Sequence, residues 1–532
     1  MNNINILEKL KGINSDFVFL LLLVVFSMLY YDSVMDKGPL NAHLWRQTDC
    51  LSMTRNYMNG ANFLEPEMDI LLADNHTTGK SAGEFPILYY VIGFLWSVFG
   101  ESYLLYRSVY LLIVAIGLFA LFRSVKLILN DSFWAIIITF LLFSSPVYVF
   151  YGVSFLTDAP AFSFVLVGLY FFLQYHTKKK MLMFFLSMIF FALAGLLKVS
   201  SLIAFIFLAM IFFIELFNIK TLGTKKVYHT FLPEAIGFVF VLLSIFSWYY
   251  YAGEYNELHG FKYTFNSIYP LWNMSEIEQE PLVSGVKNFT SIVFFSRPIL
   301  YMLFVLGCVN LFLYKKISVF AYLSSITIII GAVLYFVLWG PLMGIHDYYY
   351  VALLILFLGV VLPFASYVKE HYSVLFNGRK LKVFLSLFLV FNFGYCLSVV
   401  NLKTLGLDGS VPLVGNHRFV ENMRWANWDT DAHWKSFEEI KIHLDDMGIK
   451  PEDKIISLPD QSFNSSLFLI GHKGWTNYKN YKTKEDIDFL IQKGAKYLFI
   501  SDPIYLEKDH IKPFLYKKVG EFKNIKIFKL TK

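Results

Sequence analysis

Apolar runs long enough to cross a lipid bilayer recur through the first 400 residues of the chain. A helix needs about 20 apolar residues to span the hydrocarbon core. The chain is also 56% hydrophobic and only 16% charged, whereas soluble domains have roughly 25% charged residues. We therefore predict an α-helical polytopic membrane protein with about eleven transmembrane helices. The predicted spans lie near residues 17–35, 105–126, 132–150, 159–175, 181–197, 199–217, 233–252, 294–313, 318–339, 349–367 and 382–400.

Basic residues between the apolar runs predict how the spans are oriented. Short cytoplasmic loops of membrane proteins are enriched in lysine and arginine. If the N-terminus is cytoplasmic and the short apolar segment 86–99 does not cross, all the basic clusters fall on the cytoplasmic side. We therefore expect segment 86–99 to be an interfacial or re-entrant helix on the outer face. The basic residues concerned are Lys9, Lys11, Arg123, Lys126, Lys178 to Lys180, Lys225, Lys226, Lys315, Lys316 and Arg379 to Lys382.

The predicted topology leaves three sizeable segments outside the cytoplasm, at residues 36–104, at 253–293 and after about 401. The last of these loses the long apolar runs and has the pattern of a small α/β domain. We therefore divide the chain into a transmembrane domain over 1–400, with first outer loop 36–104, and an extracytoplasmic α/β domain over 401–532. The predicted strands of this domain lie at 454–458, 497–501 and 525–530, and its predicted helix at 483–493.

Cysteine content and net charge exclude two other kinds of function. Cys308 and Cys396 fall inside apolar runs and Cys50 stands alone, so the sequence has no disulfide framework and no C-x-x-C metal site. The net charge of +6 comes from basic residues in short loops, not from a basic stripe. The expected partners therefore include membrane lipids but no nucleic acid.

Three acidic residues are candidate site residues, because the predicted topology places them on one side of the membrane at one depth. Asp49 follows Arg46 by three positions on a short helix of the first outer loop, where a simple surface ion pair is the alternative. Glu84 directly precedes the interfacial helix, and Asp158 lies at the outer end of the fourth span. Both of the latter positions are also ordinary ones for a helix cap.

Basic and polar residues are predicted to meet these acids. Lys198 lies between two spans at their outer end, Arg297 begins the eighth span, and His346 occupies the short loop after the ninth. A charge at the edge of the bilayer indicates function, although Lys198 could also extend to the lipid headgroups. Glu84, Asp158 and His346 could hold a divalent cation, but their spacing does not demand one. We assign no metal ligand and no other cofactor.

Several tracts of the membrane domain, taken in order, resemble those of a known enzyme class. They are WRQTDCLSMTRNYMNGANFLEP from Trp45, GEFPILYYVIGFLWSVFG from Gly83 with Arg107 following, Asp158 before the fourth span, GLLKVSSL around Lys198, and HDYYY from His346. Over roughly residues 17–400 the sequence resembles the GT-C class of polyprenyl-phosphate-sugar glycosyltransferases. The resemblance is to the branch of the protein O-mannosyltransferases and the aminoarabinose transferase of lipid A, which is like bacterial glycosyltransferase family 39.

The resemblance implies roles for the residues at matching positions. In this family the first outer loop supplies an essential acid and a second acid precedes the fourth span, which implies Asp49 and Asp158. Basic residues of the family bind the donor phosphate, which implies Lys198 and Arg297. One departure concerns Arg46, because the better-known relatives have an acid at that position and an arginine where this chain has Asp49.

The resemblance also implies a reaction, the inverting transfer of a hexose or pentose from a polyprenyl-phosphate donor. The acceptor would be an extracytoplasmic glycolipid, glycan or protein, as in lipopolysaccharide or glycoprotein biosynthesis. A phosphate leaving group needs no general acid, whereas the attacking hydroxyl must lose its proton, so we expect Asp49 to be a general base. We expect Glu84 and Asp158 to be orienting acids or contacts to the acceptor. Arg46 is expected to join the donor phosphate site, and His346 to be a secondary polar contact.

The expected location is a bacterial inner membrane, with a cytoplasmic N-terminus and an extracytoplasmic C-terminal domain. Three alternatives remain open at this point. A flippase or transporter of lipid-linked sugars would use the same basic contacts without a base. An O-antigen polymerase or ligase would rely on arginine-rich late outer loops, and a membrane anchor would present the C-terminal domain as a binding module. The sequence names neither the sugar nor the acceptor.

Overall fold

A helical membrane domain followed by a smaller α/β domain makes up the computed structural model of this protein. The structure describes residues 14–39, 43–219, 226–261, 267–405 and 432–530. The predicted cytoplasmic residues Lys9, Lys11 and Lys225 lie outside the described residues. The predicted fold class, a helical membrane protein with a small C-terminal α/β domain, is confirmed.

Helices α1 to α16 form the membrane domain. In chain order they are α1 (Ser15–Tyr31), α2 (Leu44–Met58), α3 (Ile87–Phe99), α4 (Tyr103–Leu129), α5 (Ser132–Leu142), α6 (Pro146–Gly152), α7 (Asp158–Lys178), α8 (Met181–Leu197), α9 (Ile203–Leu216), α10 (Leu232–Leu258), α11 (Glu276–Asn288), α12 (Arg297–Phe312), α13 (Val319–Met343), α14 (Ile355–His371), α15 (Ser373–Asn377) and α16 (Arg379–Leu405). Shorter 3₁₀ or π segments lie at Val199–Leu202, Leu271–Asn273, Phe289–Phe294 and Asp347–Leu354. The side chains of Asn14, Ser102 and Asp131 cap α1, α4 and α5, because each accepts a hydrogen bond from a free N–H group of the first turn.

In the described residues, the helices that could cross a membrane by length and composition are fewer than the eleven predicted spans. Within the described residues, seven helical segments are long and apolar enough to cross a membrane, or up to nine spans if each of two bent pairs counts as one. The predicted count of eleven is therefore not confirmed. Helices α1 and α8 correspond to predicted spans but have only 17 residues each, a length at the lower limit for a crossing.

One predicted span contains a sharp bend, and another begins at one. Helices α5 and α6 meet at 78°, and the segment that ends at Phe294 meets α12 at 98°. Pro146 and Pro298 stand in the first turns of α6 and α12. Proline fits a first turn but lacks the N–H that would continue a preceding helix. The predicted span 132–150 is therefore divided between α5 and α6 by a bend that apolar content alone does not register.

The ambiguous segment 86–99 forms helix α3, which has 13 residues. At a rise of 1.5 Å per residue α3 is about 20 Å long, too short to cross the roughly 30 Å hydrocarbon core without help. Its inner face packs closely on α2, since a Cβ added to Gly93 would lie 2.7 Å from the Thr54 carbonyl oxygen. Phe94 and Val98 on the other face are exposed. This geometry agrees with the predicted interfacial helix, whose place in the membrane stays a prediction.

The C-terminal domain is built on a five-stranded sheet with the order β2-β1-β3-β5-β4. Strands β1, β2 and β3 are parallel, whereas β4 and β5 form an antiparallel hairpin beside β3. The sequence predicted β1, β3 and β5 but missed β2 and β4. In chain order the elements are α17 (Ala432–Glu439), β1 (Lys454–Leu458), α18 (Ser465–Ile470), β2 (Gly474–Thr476), α19 (Lys484–Gln492), β3 (Ala495–Ile500), β4 (Lys518–Phe522) and β5 (Ile525–Lys529), with 3₁₀ turns at Ile440–His443, Asn477–Lys479, Pro503–Glu507 and Lys512–Phe514.

The sheet of the C-terminal domain extends into the loop between α2 and α3. Ile70 of this loop forms a parallel bridge with Gly474 of β2. The Leu71 N–H donates to the Gly474 carbonyl at 2.8 Å, and the Gly474 N–H donates to the Asp69 carbonyl at 3.0 Å. Backbone hydrogen bonds therefore join the two domains, in addition to side-chain contacts between α2 and α18.

The first prediction concerns this junction. A Cβ at Gly474 would lie 1.9 Å from the Ile455 carbonyl oxygen, so Gly474→Ala must push β2 away from β1. We expect it to destabilise the protein by about 1–3 kcal/mol, the usual range for overpacking, and to lower the thermal unfolding midpoint in detergent. Gly253→Ala is the matched control, because no atom lies within 4 Å of its added Cβ. Equal midpoints for the two variants would contradict the close packing at Gly474.

Candidate active site

Helix α2 presents two of the predicted site residues at the junction of the domains. It begins after His43, whose φ of 59° lies in the left-handed region and turns the chain into the helix. Asp49 is buried, with 1% of its surface exposed, and its Oδ1 accepts a hydrogen bond from Asn464 Nδ2 at 2.9 Å. Arg46 forms an ion pair with Glu84. The short helix of the first loop is therefore part of the protein interior and not a surface helix.

Glu84 is held as a carboxylate by its surroundings. Burial alone raises the pKa of Glu84, but the charges of Arg46 and Lys198 and a hydrogen bond from Tyr89 outweigh that effect, so its pKa lies below the ordinary value. The Tyr89 hydroxyl donates to Oε1 of Glu84 at 2.5 Å. Glu84 is thus an ionised partner for Arg46 and not a proton donor at neutral pH.

Lys198 and Asp158 form the second ion pair of the site. Lys198 Nζ lies 3.1 Å from Asp158 Oδ1, and both side chains are mostly buried. The ammonium group also lies over the rings of Tyr348 and Tyr349, at 5.3 and 5.0 Å from their centroids, a geometry that favours a cation. Burial alone lowers the pKa of Lys198. Asp158, Tyr349 and Glu84 raise this pKa by more than burial lowers it, so Lys198 stays charged.

A third buried ion pair, which the sequence analysis missed, lies next to His346. Lys403 near the end of α16 contacts Asp347, and the lysine side chain is fully buried. Asp347 also accepts a hydrogen bond from the Tyr151 hydroxyl and contacts His43 Nε2 at 3.2 Å. The sequence signal that could have found this pair is a lysine three residues after the last apolar run, because a charge at the edge of the bilayer is seldom without a role.

The two histidines near this pair face each other across the site. His346 Nδ1 lies 3.4 Å from His43 Nδ1, and the His346 ring stacks on Tyr348. Burial lowers the pKa of His346 to about 3, and the nearby His43, Lys198 and Arg46 act in the same direction. His346 is therefore a neutral ring that can exchange hydrogen bonds with a polar ligand.

Arg297 is the predicted site residue that the structure does not bring to this cluster. It is exposed at the start of α12, and the neighbouring Ser296 donates a hydrogen bond to Asn392 of α16. Asn392 precedes Lys403 by eleven residues on the same helix, which corresponds to about 16 Å along its axis. Arg297 thus lies at a different depth from the other candidates.

A cavity of about 430 Å³ lies between α2, the loop around His346 and the C-terminal domain. Its volume is within the usual range for small-ligand sites. Asp49, Arg46 and His346 line it together with several aromatic side chains. The aromatic residues are Trp45, Tyr269, Tyr348, Tyr349, Trp434 and Phe463, and the C-terminal domain adds Asp460, Gln461, Ser462 and Ser465.

A second cavity of about 480 Å³ lies among the spans, and none of the charged residues described above lines it. Its walls are mainly apolar side chains of α4, α7, α9, α13 and α14, together with His176 and Glu370. In the part of the chain that the structure describes, no three His, Cys, Asp or Glu side chains form a group suited to a metal ion. Glu84 and Asp158, considered above as cation ligands, are instead ion-paired with Arg46 and Lys198.

Comparison with known proteins decides the class to which this architecture is related. A sequence model of the dolichyl-phosphate-mannose-protein mannosyltransferases matches residues 81–251, which include Glu84, Asp158 and Lys198. The chain is related to the GT-C glycosyltransferases. The resemblance to this class noted in the sequence is thus confirmed. No curated protein matches the chain by sequence.

Solved structures of GT-C enzymes share the fold over nearly the whole chain. ArnT from Cupriavidus metallidurans in the apo state is similar with a TM-score of 0.55 at 13% identity, over 97% of this chain and 99% of that chain. The same ArnT bound to undecaprenyl phosphate gives 0.53 at 14% identity, over 97% and 98%. The Archaeoglobus fulgidus oligosaccharyltransferase in complex with Zn and sulfate gives 0.53 at 13% identity, over 93% and 68%. The likeness to ArnT therefore includes the C-terminal domain, which the sequence resemblance did not cover.

The second prediction tests the buried ion pair between Lys403 and Asp347. Lys403→Met would leave Asp347 as a buried carboxylate without its cation, a change that typically costs about 3–5 kcal/mol. We expect a large fall in the thermal midpoint, and partial recovery when Asp347→Asn is added because the remaining charge is removed. Lys484→Met, which breaks the exposed pair with Asp488, should change stability by less than about 1 kcal/mol. Similar losses for Lys403→Met alone and for the double variant would show that the pair is not buried as described.

Proposed function

We propose that this protein transfers a sugar from a polyprenyl-phosphate donor to an acceptor hydroxyl in the cavity beside α2, with Asp49 as the general base. The observation that carries the proposal is that Asp49 and Arg46 line one cavity. Behind that cavity, Glu84 pairs with Arg46 and Asp158 pairs with Lys198. Lys198 lies over Tyr348 and Tyr349, which also line the cavity. A carboxylate with one held cation on the cavity and a second beside its wall supplies the groups that such a transfer requires.

The reaction needs one base and a place for negative charge. The acceptor oxygen forms a bond with the anomeric carbon while the bond from that carbon to the phosphate oxygen breaks. The hydroxyl proton passes to Asp49, and the phosphate leaves with the bonding electrons, so the configuration at the anomeric carbon inverts. The leaving phosphate is already acidic and needs no general acid. Cations fixed in advance stabilise the charge that develops on it.

Arg46 and Lys198 are the cations proposed for the donor phosphate. A guanidinium has five N–H donors and an ammonium has three, so each can bind phosphate oxygens while keeping its carboxylate partner. Glu84 and Asp158 then orient the two cations and are not themselves bases. We leave Arg297 out of this group because its neighbour Ser296 contacts α16 at Asn392, about 16 Å along the helix axis from Lys403. His346 is proposed as a neutral contact to the sugar or the acceptor.

The membrane setting suits a donor with a long isoprenoid chain. The protein is an integral membrane protein with at least seven apolar helices in the described residues, and the related ArnT structure contains undecaprenyl phosphate. We propose that the end bearing the C-terminal domain faces the outside of a bacterial inner membrane. The acceptor is proposed to be a glycolipid, glycan or protein, and the aromatic walls of the cavity would pack against its sugar or aromatic groups.

The third prediction separates this transferase from a flippase of lipid-linked sugars. Asp49→Asn removes the base but keeps the size and shape of the side chain. We expect the rate of sugar transfer to fall by about 10²–10⁴, the usual contribution of a general base. The measurement is transfer of radiolabelled sugar from polyprenyl-phosphate sugars to membrane lipids and proteins, at matched protein levels. Glu65→Gln is the matched control, because Glu65 is an exposed acid of the same loop, and its rate should equal that of the wild type.

The outcomes of this experiment lead to different conclusions. Equal transfer by wild type and Asp49→Asn would exclude Asp49 as the base. Absence of transfer from every donor tested, together with movement of labelled lipid across the bilayer of proteoliposomes, would favour the flippase.

The fourth prediction concerns the donor phosphate. Lys198→Met removes a cation and leaves Asp158 as an unpaired buried acid, so both stability and transfer should fall. Adding Asp158→Asn should restore most of the thermal midpoint, because no unpaired charge remains, but should leave transfer at least about tenfold below wild type. Lys198→Arg should retain more transfer than Lys198→Met. Wild-type transfer by the double variant would exclude Lys198 from the donor site.

A further inference from the structure

Asn464 is a residue of the C-terminal domain that contacts the proposed base. It is fully buried and directly precedes α18, the helix that packs against α2. Its Nδ2 donates to Asp49 Oδ1 at 2.9 Å, and its Oδ1 accepts the backbone N–H of Ile70 at 2.9 Å. One amide thus contacts both the helix that carries the base and the loop that joins the two domains.

The backbone contact fixes which way the amide points. The Ile70 N–H is a donor only, so the side-chain oxygen of Asn464 must face it. The NH₂ group must then face Asp49. Because an NH₂ group is a donor only, it stabilises the carboxylate form of Asp49 and fixes the direction of one of its oxygens.

Other contacts between α2 and α18 hold the domains together independently of this bond. The hydroxyls of Thr48 and Ser465 lie 3.1 Å apart. Arg55 Nη1 donates to the Phe468 carbonyl at 2.8 Å, and its guanidinium lies 3.8 Å from the centroid of the Phe468 ring. The docking of the domains therefore does not require the NH₂ group of Asn464.

We propose that Asn464 is a positioning residue, whose amide on the C-terminal domain holds the Asp49 carboxylate in the orientation in which it accepts the acceptor's proton. This inference rests on the proposed function. It gives the C-terminal domain a direct part in the reaction, since the base is oriented by one domain and supplied by the other.

Asn464→Asp is the variant that isolates this role. It keeps the shape of the side chain and an oxygen for the Ile70 N–H, but it replaces the NH₂ donor with an oxygen that faces Asp49. Two facing carboxylates raise the pKa of the pair. Since a base acts only when ionised, the acid limb of the pH profile should move to higher pH.

Few groups around Asp49 can imitate such a shift between pH 5 and 8. Burial raises the pKa of Cys50 to about 12, burial also raises that of Tyr89 and of Tyr478, and the pKa values of Glu84 and His346 are lowered as described above. Burial raises the pKa of Asp460, which lines the same cavity. His43 and Asp460 are therefore the groups whose effects must be measured, so each profile is repeated with His43→Gln and with Asp460→Asn. The titratable or charged groups around Asp49 lie on α2, beside α3, across the cavity and on the C-terminal domain. They are Arg46, Cys50, Glu84, Tyr89, His43, His346, Asp460 and Tyr478.

The experiment measures the pH dependence of sugar transfer by the full-length protein, using the labelled polyprenyl-phosphate sugar. For Asn464→Asp we expect a fall of about ten- to a hundredfold in kcat at neutral pH, little change in the donor KM, and an acid limb about one pH unit higher. Asn477→Asp is the matched control, because Asn477 is a buried asparagine of the same domain that contacts Asp460 and Tyr505 instead. It should leave the acid limb where it is. A wild-type profile for Asn464→Asp would overturn the inference.

A double-variant cycle on thermal stability tests the contact between Asn464 and Asp49 even if no sugar transfer is found. Absence of transfer would contradict the proposed function alone. Asn464→Asp should be destabilising beside Asp49, and Asp49→Asn should relieve the loss, because the exchanged pair again has one amide facing one carboxylate. The exchanged variant should still lack transfer, since its carboxylate now belongs to the other domain. Strictly additive effects of the two substitutions would show that the contact is not made and would overturn the inference.

Discussion

Charge compensation away from water is the constraint on which the candidate site depends. A carboxylate or ammonium group loses several kcal/mol of solvation when buried, and it tolerates burial only beside an opposite charge with well-placed hydrogen bonds. Three such pairs lie at one end of the membrane domain, and each joins segments that are distant in sequence. They hold α2 to the start of α3, α7 to the end of α8, and α16 to the segment Asp347–Leu354. The pairs are Arg46 with Glu84, Lys198 with Asp158, and Lys403 with Asp347.

Helix α2 connects this charged end to the C-terminal domain. One of its sides packs on α3, where Gly93 permits close approach, and another packs on α18 through Thr48 and Arg55. The cavity accordingly takes residues from both domains. This arrangement counts against a membrane anchor that merely presents a separate binding module. In such a protein, the catalytic-type groups of the membrane domain would have no reason to meet the C-terminal domain in a single cavity.

Much of the fold can be predicted from the sequence, because the length of an apolar run indicates whether it can span a membrane. The exact spans do not follow, since hydropathy does not register the bends before Pro146 and Pro298. Strand β2 was missed because Gly474–Thr476 has only three residues, and it is stabilised by its neighbours on both sides and not by its own pattern. The helix predicted at 483–493 lies at Lys484–Gln492, where Thr483 and Asp486 form a capping box at its start.

The sequence predicted that the three acids lie together, but it did not predict which cation each acid pairs with. Topology placed Asp49, Glu84 and Asp158 together because each follows or precedes an apolar segment at a definite end. Which cation each acid meets depends on how the helices pack, and no spacing in the sequence records that Arg46 pairs with Glu84. The sequence did not indicate a role for Asn464. A single asparagine in a domain without long apolar runs suggests a role only once its contact with Asp49 is known.

The exchanged order of Arg46 and Asp49 becomes understandable once their partners are known. Three positions on a helix place two side chains on neighbouring parts of one face, about 4.5 Å apart along the axis, so either order presents an acid and an arginine to the cavity. In this chain the arginine lies beside the Glu84 carboxylate and the acid lies beside the Asn464 amide. The opposite order would set an acid against Glu84 and an arginine against an NH₂ group, which are both unfavourable contacts. The four side chains therefore form one unit, in which the order along α2 is matched to the two residues that face it.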